Sequence, residues 1–212
     1  PFKSKRIPTS LPKGKQKAFI KLELANLILD KLPNAQWKLL FALARWGGVR
    51  VPSEPARLKW SDIDWETNRI TIHSPKTEHF EGHEKRVIPI FPELMRPLQD
   101  AWDAAEEGEP MVLPFLQHVT GAALRKPLMK AIQDAGETPW EKLWVALRAT
   151  RDTELRETFP VHVVEAWLGH EDRVAKRNYT QITDEHFRVA ATGENKAAQK
   201  AAQQGRATNA QG

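Results

Sequence analysis

Residues 147–180 read LRATRDTELRETFPVHVVEAWLGHEDRVAKRNYT. The stretch divides into a helix running through 140–156, a break at Pro160, a second helix over 160–168 and a stop at Gly169. Along it stand Arg148 within the first helix, His170 just past the second, and Tyr179 nine residues further on. Tyr179 is the single tyrosine of the chain, so any tyrosine chemistry belongs there. Taken one at a time, His170 reads as a helix-end histidine whose charge suits the dipole, and Tyr179 as a half-buried aromatic.

Upstream, Ile20, Leu24, Leu27, Ile28 and Leu32 recur at helical spacing and Pro33 ends the run. Trp37, Leu39, Leu40, Leu43 and Trp46 give a second helix a broad apolar face, closed by Gly47 and Gly48. A short helix is expected over 52–58. The pattern then changes to strands at 62–65, 69–73 and 86–91, with a tight turn at 66–68 and a longer polar connection at 74–84. Further helices are expected over 92–105, 120–135 and 184–191. The fold class is mainly α with a small three-stranded antiparallel β-sheet (α+β), and no internal repeat marks an array.

The chain has 212 residues, 41% of them hydrophobic, with eight Trp, enough to bury a sizeable core. No stretch has the length of uncharged apolar sequence that a membrane span needs, so a cytoplasmic, nucleoid-associated location is expected. The absence of Cys excludes disulfides and thiolate chemistry. A net charge of +5 favours an anionic partner. There is no phosphate-binding Gly loop, no dinucleotide turn and no His-Glu-x-x-His. His73, His79 and His83 lie close in sequence, but strand geometry does not obviously converge them on a metal.

Two blocks and a hairpin together resemble the catalytic domain of the tyrosine recombinases, the phage integrase family. The first block is GGVRVPSEPARLKWSDIDW (47–65), the hairpin HSPKTEHFEGHEKRVIPIF (73–91), and the second block the 147–180 stretch with its Leu-Arg-x-Thr and Leu-Gly-His. The resemblance spans roughly 17–190. It implies that Arg50 and Arg148 clamp a scissile phosphate, with Glu54 supporting Arg50. It further implies that His170 hydrogen-bonds the phosphate, Lys76 protonates the leaving 5′-oxygen, and Tyr179 attacks to form a 3′-phosphotyrosyl bond. Charge neutralisation and positioning by two arginines and a histidine are what a nucleophile approaching a shielded phosphorus requires. No cofactor is implied, because the phosphotyrosyl bond retains the energy of the broken phosphodiester.

The family's implied partners are double-stranded DNA and further copies of the chain, as a tetramer on DNA. The implied division is 1–16 as a linker from an N-terminal DNA-binding domain, 17–191 as the catalytic domain, and 192–212 as a flexible or partner-docking tail. Two departures stand out. One additional residue separates Arg50 from Leu58, so Ser53 and Glu54 compete for the acidic position, and only Glu54 is acidic. The family usually has His three residues before the second Arg, where this chain has Val145. Val cannot take a proton, so the tyrosine proton needs water or another group such as His162 or His83. Type IB topoisomerases share the nucleophile and clamp, and a lapsed integrase that only binds DNA is the remaining alternative. Lys59, Lys85, Arg86 and Arg173 are candidate phosphate contacts, with solvated surface charge the ordinary reading of each.

Overall fold

The computed structural model describes residues 18–74, 84–169 and 182–194. Helix α1 (Leu22–Lys31) leads through Leu32 and Pro33 into α2 (Ala35–Arg45). Asn34 starts α2 two residues earlier than the apolar pattern alone predicts, because its side chain accepts the Trp37 amide at 3.0 Å. From Leu39 to Arg45 every residue of α2 is buried. A helix buried on all sides has no polar face, and α2 is accordingly the central element, in contact with α1 and with two later helices, α3 (Pro92–Asp103) and α5 (Leu143–Arg156).

The expected helix over 52–58 is reduced to one 3₁₀ turn, Pro55–Arg57, and a second turn, Trp60–Asp62, takes the start of the first expected strand. What remains is a three-stranded antiparallel sheet in the order β1 (Ile63–Asp64), β2 (Arg69–His73), β3 (Lys85–Pro89). The β1–β2 turn is set by Asp64, whose carboxylate accepts the amides of Glu66 and Thr67, while Asn68 adopts φ 54°. Across β2 and β3, Ile70 opposes Ile88 and Ile72 opposes Arg86, and all four are buried. The core-facing side of this small sheet therefore includes one arginine.

Helix α4 (Arg125–Asp134) begins five residues later than expected, since 120–124 form turns on the Thr120 carbonyl. Helix α6 (Val161–Leu168) and α7 (Asp184–Thr192) pack on β3. Trp167 anchors them, with its ring 5.0 Å from Phe159, 5.9 Å from Phe91 and 5.7 Å from Phe187, centroid to centroid. The end of α6 thus lies beside both β3 and the loop that follows α2.

Candidate active site

Two glycines let those segments meet. Gly48 has φ 63°, and a Cβ there would stand 2.3 Å from the Leu168 side chain. Gly169 has φ 64°, caps α6, and would bring a Cβ to 3.2 Å from Arg86. Gly48 therefore sits directly against the Leu168 side chain, and Gly169 against the side chains of Arg86 and Arg50.

The last carbonyls of a helix have no partner within the helix and form its negative end. In α6 three consecutive carbonyls around that end are each taken by a different guanidinium. Arg86 Nε donates to the Trp167 carbonyl at 2.7 Å, Arg148 Nη2 to Leu168 at 2.5 Å, and Arg50 Nη2 to Gly169 at 2.5 Å. Arg148 Nη1 also donates to the carbonyl of Gly48. Four separate elements, the loop after α2, β3, α5 and α6, converge on one turn of backbone.

Glu54 completes the cluster and is 1% exposed. Its carboxylate accepts the Arg50 amide and Arg50 Nη1, both at 2.7 Å, and two bonds from Arg86, also at 2.7 Å. Ser74 joins through its hydroxyl, 3.1 Å from Glu54 and 2.6 Å from Arg86 Nη1. Of the two residues competing for the acidic position, Glu54 reaches Arg50 through its side chain. Ser53 is exposed, its hydroxyl 3.4 Å from the Arg50 carbonyl.

Two guanidiniums share this carboxylate and the charge of a third, Arg148, feels both Glu54 and Asp152, so positive groups outnumber negative ones around Arg148 when every group is ionised. Burial tends to raise the Glu54 carboxyl, but hydrogen bonds and charge from Arg86, with the amide and charge of Arg50, outweigh it and hold the group below its ordinary value. Arg148 shows the opposite stress: burial, then the charges of Arg50 and Arg86, push it down to about 9. An entering anion relieves that stress directly. A guanidinium has five N–H donors, and among the described residues Arg50 and Arg148 each have two of them on protein oxygens. Both are half-buried rather than sealed, so their other edges can meet a tetrahedral oxyanion.

The structure thus brings together Arg50, Glu54 and Arg148. Lys76, His170 and Tyr179 lie outside the described residues, as do His79, His83 and Arg173. Val145 is 51% exposed on α5, one turn before Arg148. His162 does not substitute for a histidine there. It sits at the other end of α6, about 9 Å of helix rise from Leu168, with its ring against His186 of α7 at 6.2 Å. His73 pairs with Asp62 at 2.8 Å, and no group of three metal-ligating side chains occurs among the described residues.

Arg86 requires a correction. It is not a solvated surface charge but 9% exposed, and among the described residues four of its five N–H groups are engaged by protein. Its position along β3 held the signal: it has the same parity as Ile88 and Ile90, both buried. Lys59 and Lys85 are exposed.

Residues 19–186 match the model of the phage integrase family. The chain belongs to that family. A relative, the tyrosine recombinase XerA of Thermococcus onnurineus (strain NA1), is 26% identical over 197 residues, covering 87% of this chain and 64% of the relative. The chain thus spans about two thirds of that relative's length. Among solved structures, the crystal structure of XerA recombinase superposes with a TM-score of 0.61 at 19% identity, covering 88% of this chain and 66% of the other. The Tn1549 transposon integrase (Y379F), solved in complex with transposon right end DNA, gives 0.60 at 18%, covering 88% and 67%. These likenesses establish the mainly helical fold with its small sheet as that of the family's catalytic domains.

Proposed function

We propose that the chain is the catalytic part of a site-specific recombinase or integrase that cleaves and rejoins double-stranded DNA. The observation that carries this reading is the Arg50–Glu54–Arg148 arrangement. Two family blocks 100 residues apart meet through the Arg148–Gly48 bond, in a cluster with more positive than negative charge and with guanidinium donors left over. A phosphodiester is the anion the family's chemistry presents there.

In this reading Arg50 and Arg148 bind the non-bridging oxygens of the scissile phosphate and offset the charge that grows there in the transition state. His170, which follows Gly169 in sequence, donates a further hydrogen bond. The Tyr179 oxygen attacks phosphorus, forming the phosphotyrosyl bond as the bond to the 5′-oxygen breaks. Lys76 gives that oxygen its proton, and the tyrosine proton leaves to water, since Val145 cannot accept it. Reversal with a second 5′-hydroxyl rejoins the strand. Residues 17–191 act as the catalytic domain, 1–16 as a linker and 192–212 as a tail, and recombination assembles four copies on two duplexes.

The test is formation of a denaturation-resistant adduct with nicked suicide duplexes carrying randomised arms, captured and sequenced. An adduct that Tyr179→Phe abolishes supports the reading. Specific binding without any adduct from the wild-type chain overturns it in favour of a DNA-binding protein.

A further inference from the structure

The geometry points to Arg86 as a positioning residue for the cleavage step: it holds Glu54 so that Arg50 keeps a free guanidinium edge for the phosphate. The inference rests on the recombinase reading of the site.

A buried carboxylate beside a single arginine pairs with it through two parallel bonds, which is the preferred fork geometry. Glu54 does not do this with Arg50. Arg86 spans both carboxylate oxygens at 2.7 Å, and the Arg50 side chain reaches only Oε1, through Nη1, its amide taking Oε2 while its Nη2 turns to the Gly169 carbonyl. Arg86 is in turn fixed by the Trp167 carbonyl and by Ser74, so its plane is set by α6 and the residue that follows β2 rather than by Glu54 alone. With four N–H groups engaged, it has little left to offer a substrate, unlike Arg50 and Arg148.

Two consequences follow for the reaction. Without Arg86, Glu54 is free to close onto Arg50 as a bidentate pair, which withdraws donors from the phosphate and neutralises the charge that should face it. The cluster's surplus of positive charge also falls by one. Both effects act on charge developing at the phosphate and spare the many contacts that bind the rest of the duplex. The defect should therefore appear in the cleavage rate rather than in DNA affinity.

The experiment uses the full chain, the duplex selected by covalent capture, and the same duplex with a neutral methylphosphonate at the scissile position. For Arg86→Met the expected single-turnover cleavage rate falls about 100-fold, a loss on the scale of one preorganised donor. Affinity for the uncleaved duplex changes by less than about threefold. Arg86→Lys, which keeps the charge but cannot bridge the carboxylate and the carbonyl, falls about tenfold. On the methylphosphonate duplex, where there is no phosphate charge to neutralise, both variants come within about fivefold of wild type. Equal losses on the two duplexes, or a wild-type rate from a variant that melts normally, overturn the inference and leave Arg86 a structural ion pair. If Arg86→Met does not fold, Arg86→Lys alone decides between these outcomes. A wild-type chain that forms no adduct on any duplex overturns the recombinase reading itself, and the role of Arg86 falls with it.

Discussion

Arg148 and Arg151 stand one turn apart on α5 and enter two clusters of opposite design. Arg151 is 2% exposed and Arg45 is not exposed at all; they share Glu154, which accepts two bonds from Arg45 at 2.6 and 2.9 Å. Arg45 also holds the Ile20 carbonyl, Arg151 lies 4.0 Å over the Phe91 ring, and the Glu93 charge acts on Arg151. In that cluster two positive groups face two negative ones, and it ties α1, α2, α3 and α5 together. Around Arg148, three positive groups face Glu54 and, through its charge alone, Asp152. The comparison teaches that a buried arginine is no marker of a site in itself. What separates the two clusters is charge balance and access: Arg45 and Arg151 are buried, whereas Arg50 and Arg148 are half-buried and can meet an anion from solvent.

The sharpest way to break the comparison is to remove each carboxylate in turn. Glu54→Ala leaves Arg50 and Arg86 without the carboxylate they share and should cost about 3–5 kcal/mol of stability, together with adduct formation. Denaturant midpoints and covalent capture measure the two losses. Since the Glu54 carboxyl lies below its ordinary value in the folded state, its contribution is complete at neutral pH and is lost as pH falls through that lowered value. Stability followed from about pH 6 to pH 3 should therefore decline less in Glu54→Gln than in wild type. Glu154→Ala should cost about 1–3 kcal/mol, because Glu154 is 27% exposed and water replaces part of what it provides. Well below its melting temperature this variant should still form adduct within about threefold of wild type. A larger cleavage defect would mean that the two clusters are coupled through α5.

A smaller effect concerns Val145. Because that position is 51% exposed, Val145→His should fold with stability within about 0.5 kcal/mol of wild type. It should raise the single-turnover cleavage rate about tenfold by supplying a proton acceptor one turn from Arg148. No gain would show that proton removal from Tyr179 does not limit the rate. The smallest effect expected is on stability in simple salts. Replacing chloride by sulfate at equal ionic strength should raise the melting temperature by about 2–4 °C through anion binding at the positive surplus. The gain should disappear in Arg148→Met, while Arg151→Met should melt lower yet keep it.

Much of this was legible in the sequence because local patterns carried it. Apolar spacing marked the helices, alternation at Ile70 and Ile72 marked the sheet, and the Gly-Gly-Val-Arg and Leu-Arg-x-Thr blocks marked Arg50 and Arg148. Boundaries slipped where a side chain rather than periodicity set them, as at Asn34, or where residues form turns that mimic helical spacing, as at 120–124. Charge alone gives no sign that Arg86 is buried; strand parity does, since it shares the face of Ile88 and Ile90.

By itself the sequence determined the fold class, the family blocks and which acidic residue is available to support Arg50, since these depend on residue type and short spacing. Only the tertiary structure decided that three arginines from separate elements cap successive carbonyls of α6, that Glu54 is shared between two of them, and that the resulting charge is unbalanced at Arg148 yet balanced at Arg151. The physical reason is that charge balance and burial belong to groups distant in sequence, and chain folding alone sets the distances between them.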